Sequence, residues 1–151
     1  MSSNYLRIIP DIPDWVPDES TAEQLALIAG ELFAKRSSEV TAGDRGEVGF
    51  VDQGAWFESV SCPGCGAPID DSWWQDRMDA AAETGFTDLS VRTECCGVAT
   101  TLNDLVYRLP AGFARYVIEV RELDKTYADE EEMATLQRAA GRPLRQIAAR
   151  Y

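Results

Sequence analysis

Four cysteines constrain this chain more than any other feature. They stand as Cys62-Pro63-Gly64-Cys65-Gly66 and, much later, as Cys95-Cys96-Gly97. In a C-P-x-C-G turn the two thiolates lie on one side of a tight bend, and the backbone N–H groups inside it point at the sulfurs. Gly66 supplies the positive φ needed just after the second sulfur. Zn²⁺ in a structural site takes four such ligands in a tetrahedron. The pattern therefore predicts a metal centre held by Cys62, Cys65, Cys95 and Cys96, with Zn²⁺ as the ion. A set of four thiolates also accommodates mononuclear iron or an Fe–S cluster. Disulfides or buried free thiols are the other outcomes, and a Cys95–Cys96 bridge is the most strained of them.

This segment resembles a zinc ribbon, with a rubredoxin-type knuckle as its first half. The resemblance covers an insert at about 54–110. It implies a second knuckle with cysteine at position 93, where Thr93 stands. Cys96-Gly97 matches Cys65-Gly66, so Cys95 supplies the fourth sulfur from an adjacent position, through an unusual local backbone. The interval from Cys65 to Cys95 exceeds the ~15–20 residues of a compact ribbon, and a helix over 72–84 accounts for the excess. The whole chain is also similar to an uncharacterised family of small bacterial proteins. These pair C-P-x-C-G and C-C-G with a G-F-A-R-Y stretch, here Gly112 to Tyr116. That resemblance implies the metal site and no activity.

Outside the insert the chain reads as strand–helix–strand at both ends. Tyr5 to Ile9 is a short strand running into a proline-rich connector with Pro10, Pro13 and Pro17. Ser20 and Glu23 form a capping box for a helix. Its Leu25, Ile28, Ala29 and Leu32 recur at helical spacing. Gly43 and Gly46 flank a turn, and Val48 to Val51 is a second strand. Tyr116 to Arg121 alternates as a third. Asp129 caps a helix with Glu132 at its third position, Met133, Leu136 and Ala140 share one face, and Gly141 closes it. Leu144 to Tyr151 forms the last strand.

The order predicts a single α+β domain over 1–151, a ferredoxin-like βαββαβ sheet with a zinc-ribbon-like subdomain inserted between its halves. Right-handed crossovers would place both helices on one face. Within the insert, Trp56 to Val60, Leu89 to Thr93 and Val98 to Leu102 are expected strands. A helix opens with a Ser72/Gln75 capping box and presents Trp74, Met78 and Ala81. Gly85 and Phe86 close it in a Schellman arrangement.

Charge narrows the function classes. Lys and Arg total 14 against 26 Asp and Glu, a formal charge of -12, with no histidine. Such a surface repels phosphate backbones and anionic bilayers, and the insert offers only Arg77, Arg92 and Arg108 as bases. The expectation is therefore no nucleic-acid and no membrane partner. Without histidine, no Ser/His/Asp or Cys/His catalytic set can form. No G-x-G-x-x-G or P-loop pattern is present. Four thiolates also leave a zinc ion no open position for catalysis. The acidity is uneven: net -7 over 1–60, -5 over 61–110 and zero over 111–151.

These features predict a non-enzymatic, zinc-stabilised protein that binds a basic protein partner through an acidic surface. A toxin-neutralising immunity protein or a cytosolic adaptor fits that description. Trp73, set beside the core-facing Trp74, is a candidate partner anchor together with Asp70 and Asp71, although helix capping also explains that acid pair. The alternative is a small enzyme using Glu58, Asp70, Asp71 or Asp104 in a cleft between insert and sheet. The N-terminus lacks a secretory pattern, and four cysteines suit reduced cytosol, so the expected location is cytoplasmic.

Overall fold

A computed structural model describes residues 2–151. It is mixed α/β, with three helices and antiparallel sheets. Four strands form the main sheet: β1 (Asn4–Pro10), β2 (Glu39–Val51), β7 (Gly112–Arg121) and β8 (Leu144–Arg150). Their order is β2-β7-β1-β8, and each neighbouring pair is antiparallel. The two central strands are the most apolar, as strands covered on both faces should be.

Helices α1 (Glu19–Phe33) and α3 (Glu130–Ala140) pack against each other and on the same face of this sheet. Alternate residues of β1 and β7, namely Leu6, Ile8, Tyr116, Ile118 and Val120, meet Leu25, Ala29 and Phe33 of α1 and Met133 and Leu136 of α3. The opposite face carries a smaller apolar strip of Ile9, Val51, Ala114, Val117 and Ile147. Beyond that strip the face turns polar, and Arg7 bonds Glu119 at 2.7 Å.

The helix ends show where local signals succeed. Asp129 accepts from the Glu132 N–H while the Glu132 carboxylate accepts from the Asp129 N–H, closing the expected capping box, and Gly141 ends α3 at φ 72°. The other two caps shift. Asp18, not Ser20, caps α1 by accepting from the Thr21 N–H. Asp70, not Ser72, caps α2 (Asp71–Glu83) by accepting from the Ser72 and Trp73 N–H groups. Either aspartate carries a full negative charge to the positive helix end, which a hydroxyl cannot. Gln75 instead donates to Asp79 at 2.9 Å. The Schellman closure of α2 forms as expected: Phe86 N–H reaches Ala81 O and Gly85 N–H reaches Ala82 O.

Gly43 and Gly46 lie within β2 rather than at a turn before it. The β2–β7 register breaks between Asp44 and Gly49, where a bulge is accommodated with Gly46 at φ 88°. Arg115 pins the bulge by gripping both oxygens of Asp44, at 2.7 and 2.8 Å.

Segment 52–111 leaves the sheet after Val51 and returns at Gly112, which are register partners. It contains two small antiparallel sheets: β3 (Val60–Ser61) with β6 (Val106–Tyr107), which close the segment's ends, and the hairpin of β4 (Ser90–Arg92) with β5 (Ala99–Thr101). The strand expected over Trp56 to Val60 is mostly a turn, because Trp56 and Phe57 N–H groups bond Gln53 and Gly54 carbonyls. The segment shares its core with the ends of β2 and β7. Fully buried Phe113 lies among Val60, Met78, Leu89, Leu102 and Tyr107. Phe50 stands 5.0 Å from Phe113 and 5.8 Å from Trp74, ring centre to centre. Such aromatic pairs add ~0.5–1.5 kcal/mol each beyond simple burial.

Candidate metal centre

Two hairpin tips build the site. In the first, Cys62 N–H bonds Ala67 O and Gly66 N–H bonds Cys62 O, both at 2.9 Å. In the second, Thr93 N–H bonds Val98 O at 3.1 Å and Gly97 N–H bonds Thr93 O at 2.9 Å. The tips are thus the same turn used twice, with Thr93 at the place of Cys62 and Cys96 at the place of Cys65. Gly66 and Gly97 hold φ of 77° and 71° at equivalent points, a conformation that side chains with a Cβ rarely adopt. Gly64 is closely packed across the two turns. A Cβ there would come within 3.1 Å of the Cys96 sulfur and 3.0 Å of Val98.

The structure brings all four cysteines together, with every sulfur within 4.8 Å of the others. Cys62 and Cys96 sulfurs are 3.7 Å apart, and those of Cys65 and Cys95 are 3.3 Å apart. An ion bonded to sulfur at ~2.3 Å in a tetrahedron has sulfur–sulfur edges of about 3.8 Å. The sulfur separations bracket that edge, so the donor set could hold a metal ion. Cys62 is buried and the other three are exposed. Cys95 reaches the cluster from inside the second turn, while Thr93 stays buried beneath it. Its hydroxyl lies 3.5 Å from the Cys62 sulfur and 3.6 Å from that of Cys96.

Electrostatics in the metal-free cluster are uneven. A hydrogen bond from Thr93, joined by the Cys65 and Gly64 N–H groups, brings the Cys62 thiol down to about 6. The Ala67 N–H favours the Cys65 thiolate, but hydrogen bonding with Cys95 and the neighbouring sulfurs prevails and pushes Cys65 up to about 11. One sulfur is thus poised as a thiolate at neutral pH, and Cys65 gives up its proton only when a cation replaces it.

The other candidate residues distribute around this centre. Asp70 caps α2, which holds its carboxyl below the ordinary range through Ser72 and the Trp73 N–H. Asp71 is the exposed first residue of that helix. Trp73 and Trp74 are both half-buried. Trp74 turns into the aromatic cluster, and its indole N–H donates to the Tyr107 hydroxyl at 3.2 Å. Trp73 lines a groove of about 240 Å³ with Pro68, Asp70, Glu94 and Cys95, so the proposed anchor and one sulfur share a surface.

Among the four carboxylates singled out from sequence, only Asp104 lines the larger cleft of about 450 Å³ where insert meets connector. Glu58 pairs with Arg108. The sequence reading missed the cleft's other acids, Asp11, Asp14 and Asp88, because they come from separated segments that share no local pattern. Among the described residues, the four cysteines are the group of potential ligands that converges.

Geometry and donor chemistry together define a chain with a preformed four-cysteine, metal-competent centre. No family model, curated protein or solved structure matches it. No helix among the described residues is long and apolar enough to cross a membrane.

Proposed function

We propose that this chain is a non-enzymatic, zinc-stapled protein-binding module that docks a basic protein partner through its acidic surface. The observation that carries the reading is the four-sulfur cluster. Its four sulfurs all lie within 4.8 Å of one another, and four thiolate ligands would leave a bound ion no vacancy for substrate. Zinc suits such an all-thiolate, redox-silent structural role. The ion's work is to fasten the two turns of segment 52–111, whose short strands have little cohesion of their own. We read the tips as a zinc-ribbon-like subdomain and the β2-β7-β1-β8 sheet with its helices as ferredoxin-like. Partner recognition then falls to charge: a net -12 chain attracts a cationic protein and gains association rate by steering. A toxin-neutralising immunity protein and a cytoplasmic adaptor both fit this description.

A second reading has one observation in its favour. Asp104 lines the cleft between insert and connector, as a carboxylate-based enzyme would need. Native mass spectrometry of the protein drawn from its own cells tests the first reading. One zinc with a stoichiometric basic partner is the expected result. A partner-free protein that turns over a small molecule, with turnover abolished by Asp104→Asn while zinc and folding persist, would replace it with the enzyme.

A further inference from the structure

The larger cleft has a composition that specifies its occupant. Its floor is apolar, formed by Val48, Phe86 and Leu89, and Ile12 stands on its wall 44% exposed. Its rim carries Asp11, Asp14, Asp88 and Asp104, and among the described residues no Lys or Arg lines it.

The guanidiniums of adjoining segments do not neutralise this rim as a whole. Arg142 is engaged by Asp11 at 2.8 Å, and Arg115 by Asp44. Arg145 donates to the Asn103 and Ala111 carbonyls at 3.0 and 2.9 Å. Asp88 accepts from the Ser90 N–H and Asp104 from the Thr101 hydroxyl. These bonds orient the two carboxylates without cancelling their charge. An apolar floor beneath a negative rim complements a side chain with a long hydrocarbon stem and a cationic head. Lys and Arg have that form. The cleft's open volume of about 450 Å³ admits more than one side chain.

We infer that this cleft, between the proline-rich connector and the insert, is the docking groove for a peptide segment in which Arg or Lys alternates with an apolar residue. The inference deepens the protein-binding reading and rests on it, by assigning recognition to Ile12, Asp14, Asp88 and Asp104 rather than to the whole acidic surface. The stem of the basic residue lies over Phe86 and Leu89, its head meets the rim, and the apolar neighbour covers Ile12.

The test is titration of a fluorescein-labelled decapeptide of alternating Arg and Leu into the intact, metal-loaded protein. Asp88→Asn/Asp104→Asn keeps the oxygens that accept from Ser90 and Thr101 while removing two charges. Glu130→Gln/Glu131→Gln removes the same charge from the exposed start of α3. The cleft pair should weaken binding at least about tenfold, ~1.4 kcal/mol, and the α3 pair less than about twofold. Methyl resonances of Ile12, Val48 and Leu89 should shift on binding. Equal weakening by both pairs, or silent cleft methyls, overturns the inference. The cleft variant is also compared with wild type in the complex isolated from cells. A natural partner held undiminished by that variant overturns the cleft assignment and leaves the protein-binding reading standing. Absence of any partner overturns that reading instead, and the peptide titration decides the cleft independently.

Discussion

Exchanging the fourth sulfur between Cys95 and position 93 probes the logic of the metal centre most directly. Thr93 sits where Cys62 sits in the first turn, with the same two backbone hydrogen bonds. Its hydroxyl is 3.5 and 3.6 Å from the Cys62 and Cys96 sulfurs, close to the edge of a tetrahedron of thiolates. Cys95→Ser should leave three sulfurs. Structural zinc contributes ~10–16 kcal/mol in small four-ligand peptides, so losing one ligand of four costs about 2.5–4 kcal/mol. That corresponds to roughly a 10²- to 10³-fold weaker affinity. Adding Thr93→Cys to Cys95→Ser should restore most of it, to within about tenfold of wild type, because the new sulfur starts from a turn already shaped to present one. Competition with a chromophoric chelator at fixed pH reads the affinities, and cobalt substitution reports whether the ligand field returns to four sulfurs. If the double variant binds no more tightly than Cys95→Ser alone, the two turns are not equivalent and the inferred ligand geometry is wrong.

Three further outcomes follow from the same structure. Metal uptake at pH 7 should release the Cys65 proton, and Thr93→Val should increase the number released, because Cys62 loses the bond that brings its thiol down to about 6; calorimetry in two buffers measures this, and unchanged release refutes it. Asp70→Ala should cost ~1 kcal/mol by uncapping α2, seen as a lower denaturation midpoint, whereas an unshifted midpoint would show the cap to be idle. Burial opposes the charge of Glu132, yet Lys125, the Asp129 N–H and Arg36 bring its carboxyl down to about 2. Its stabilisation is therefore full above the ordinary value of 4.5 and fades as pH falls toward about 2, so Glu132→Gln should flatten the acid limb of a melting-temperature profile in that window.

The sequence was most legible where one residue type admits one backbone role. Asp129 with Glu132, Gly141, and Gly85 with Phe86 announced the ends of helices, and the structure uses them as expected. Period-two alternation located β7, although the strand begins earlier, at Gly112, inside a stretch buried on both sides. The first half of β2 was illegible. It is an exposed edge whose polar, glycine-containing run from Glu39 to Gly46 reads as a turn, and only pairing with β7 makes it a strand. Caps failed where Ser competed with a nearby Asp, since a serine pattern ignores the stronger charge two residues upstream. The cysteine cluster was readable because both turns carry a local signature. The close approach of Gly64 to the Cys96 sulfur was not, because it depends on how the two turns face one another.

The register partnership of Val51 and Gly112 gives the metal centre a reach beyond its ligands. Seen from the sheet, segment 52–111 is the connecting loop of an antiparallel pair, and β2 must find β7 across its full contour. Closing a loop costs entropy that grows with length, about 0.6 kcal/mol for each doubling. An ion joining Cys62 and Cys65 to Cys95 and Cys96 ties the middle of that contour to itself and leaves two short arms. The span that β2 and β7 must close is then far smaller than the chain between them. An ion that touches neither strand would thereby bring nearer the pairing that adds β2 to the edge of the sheet.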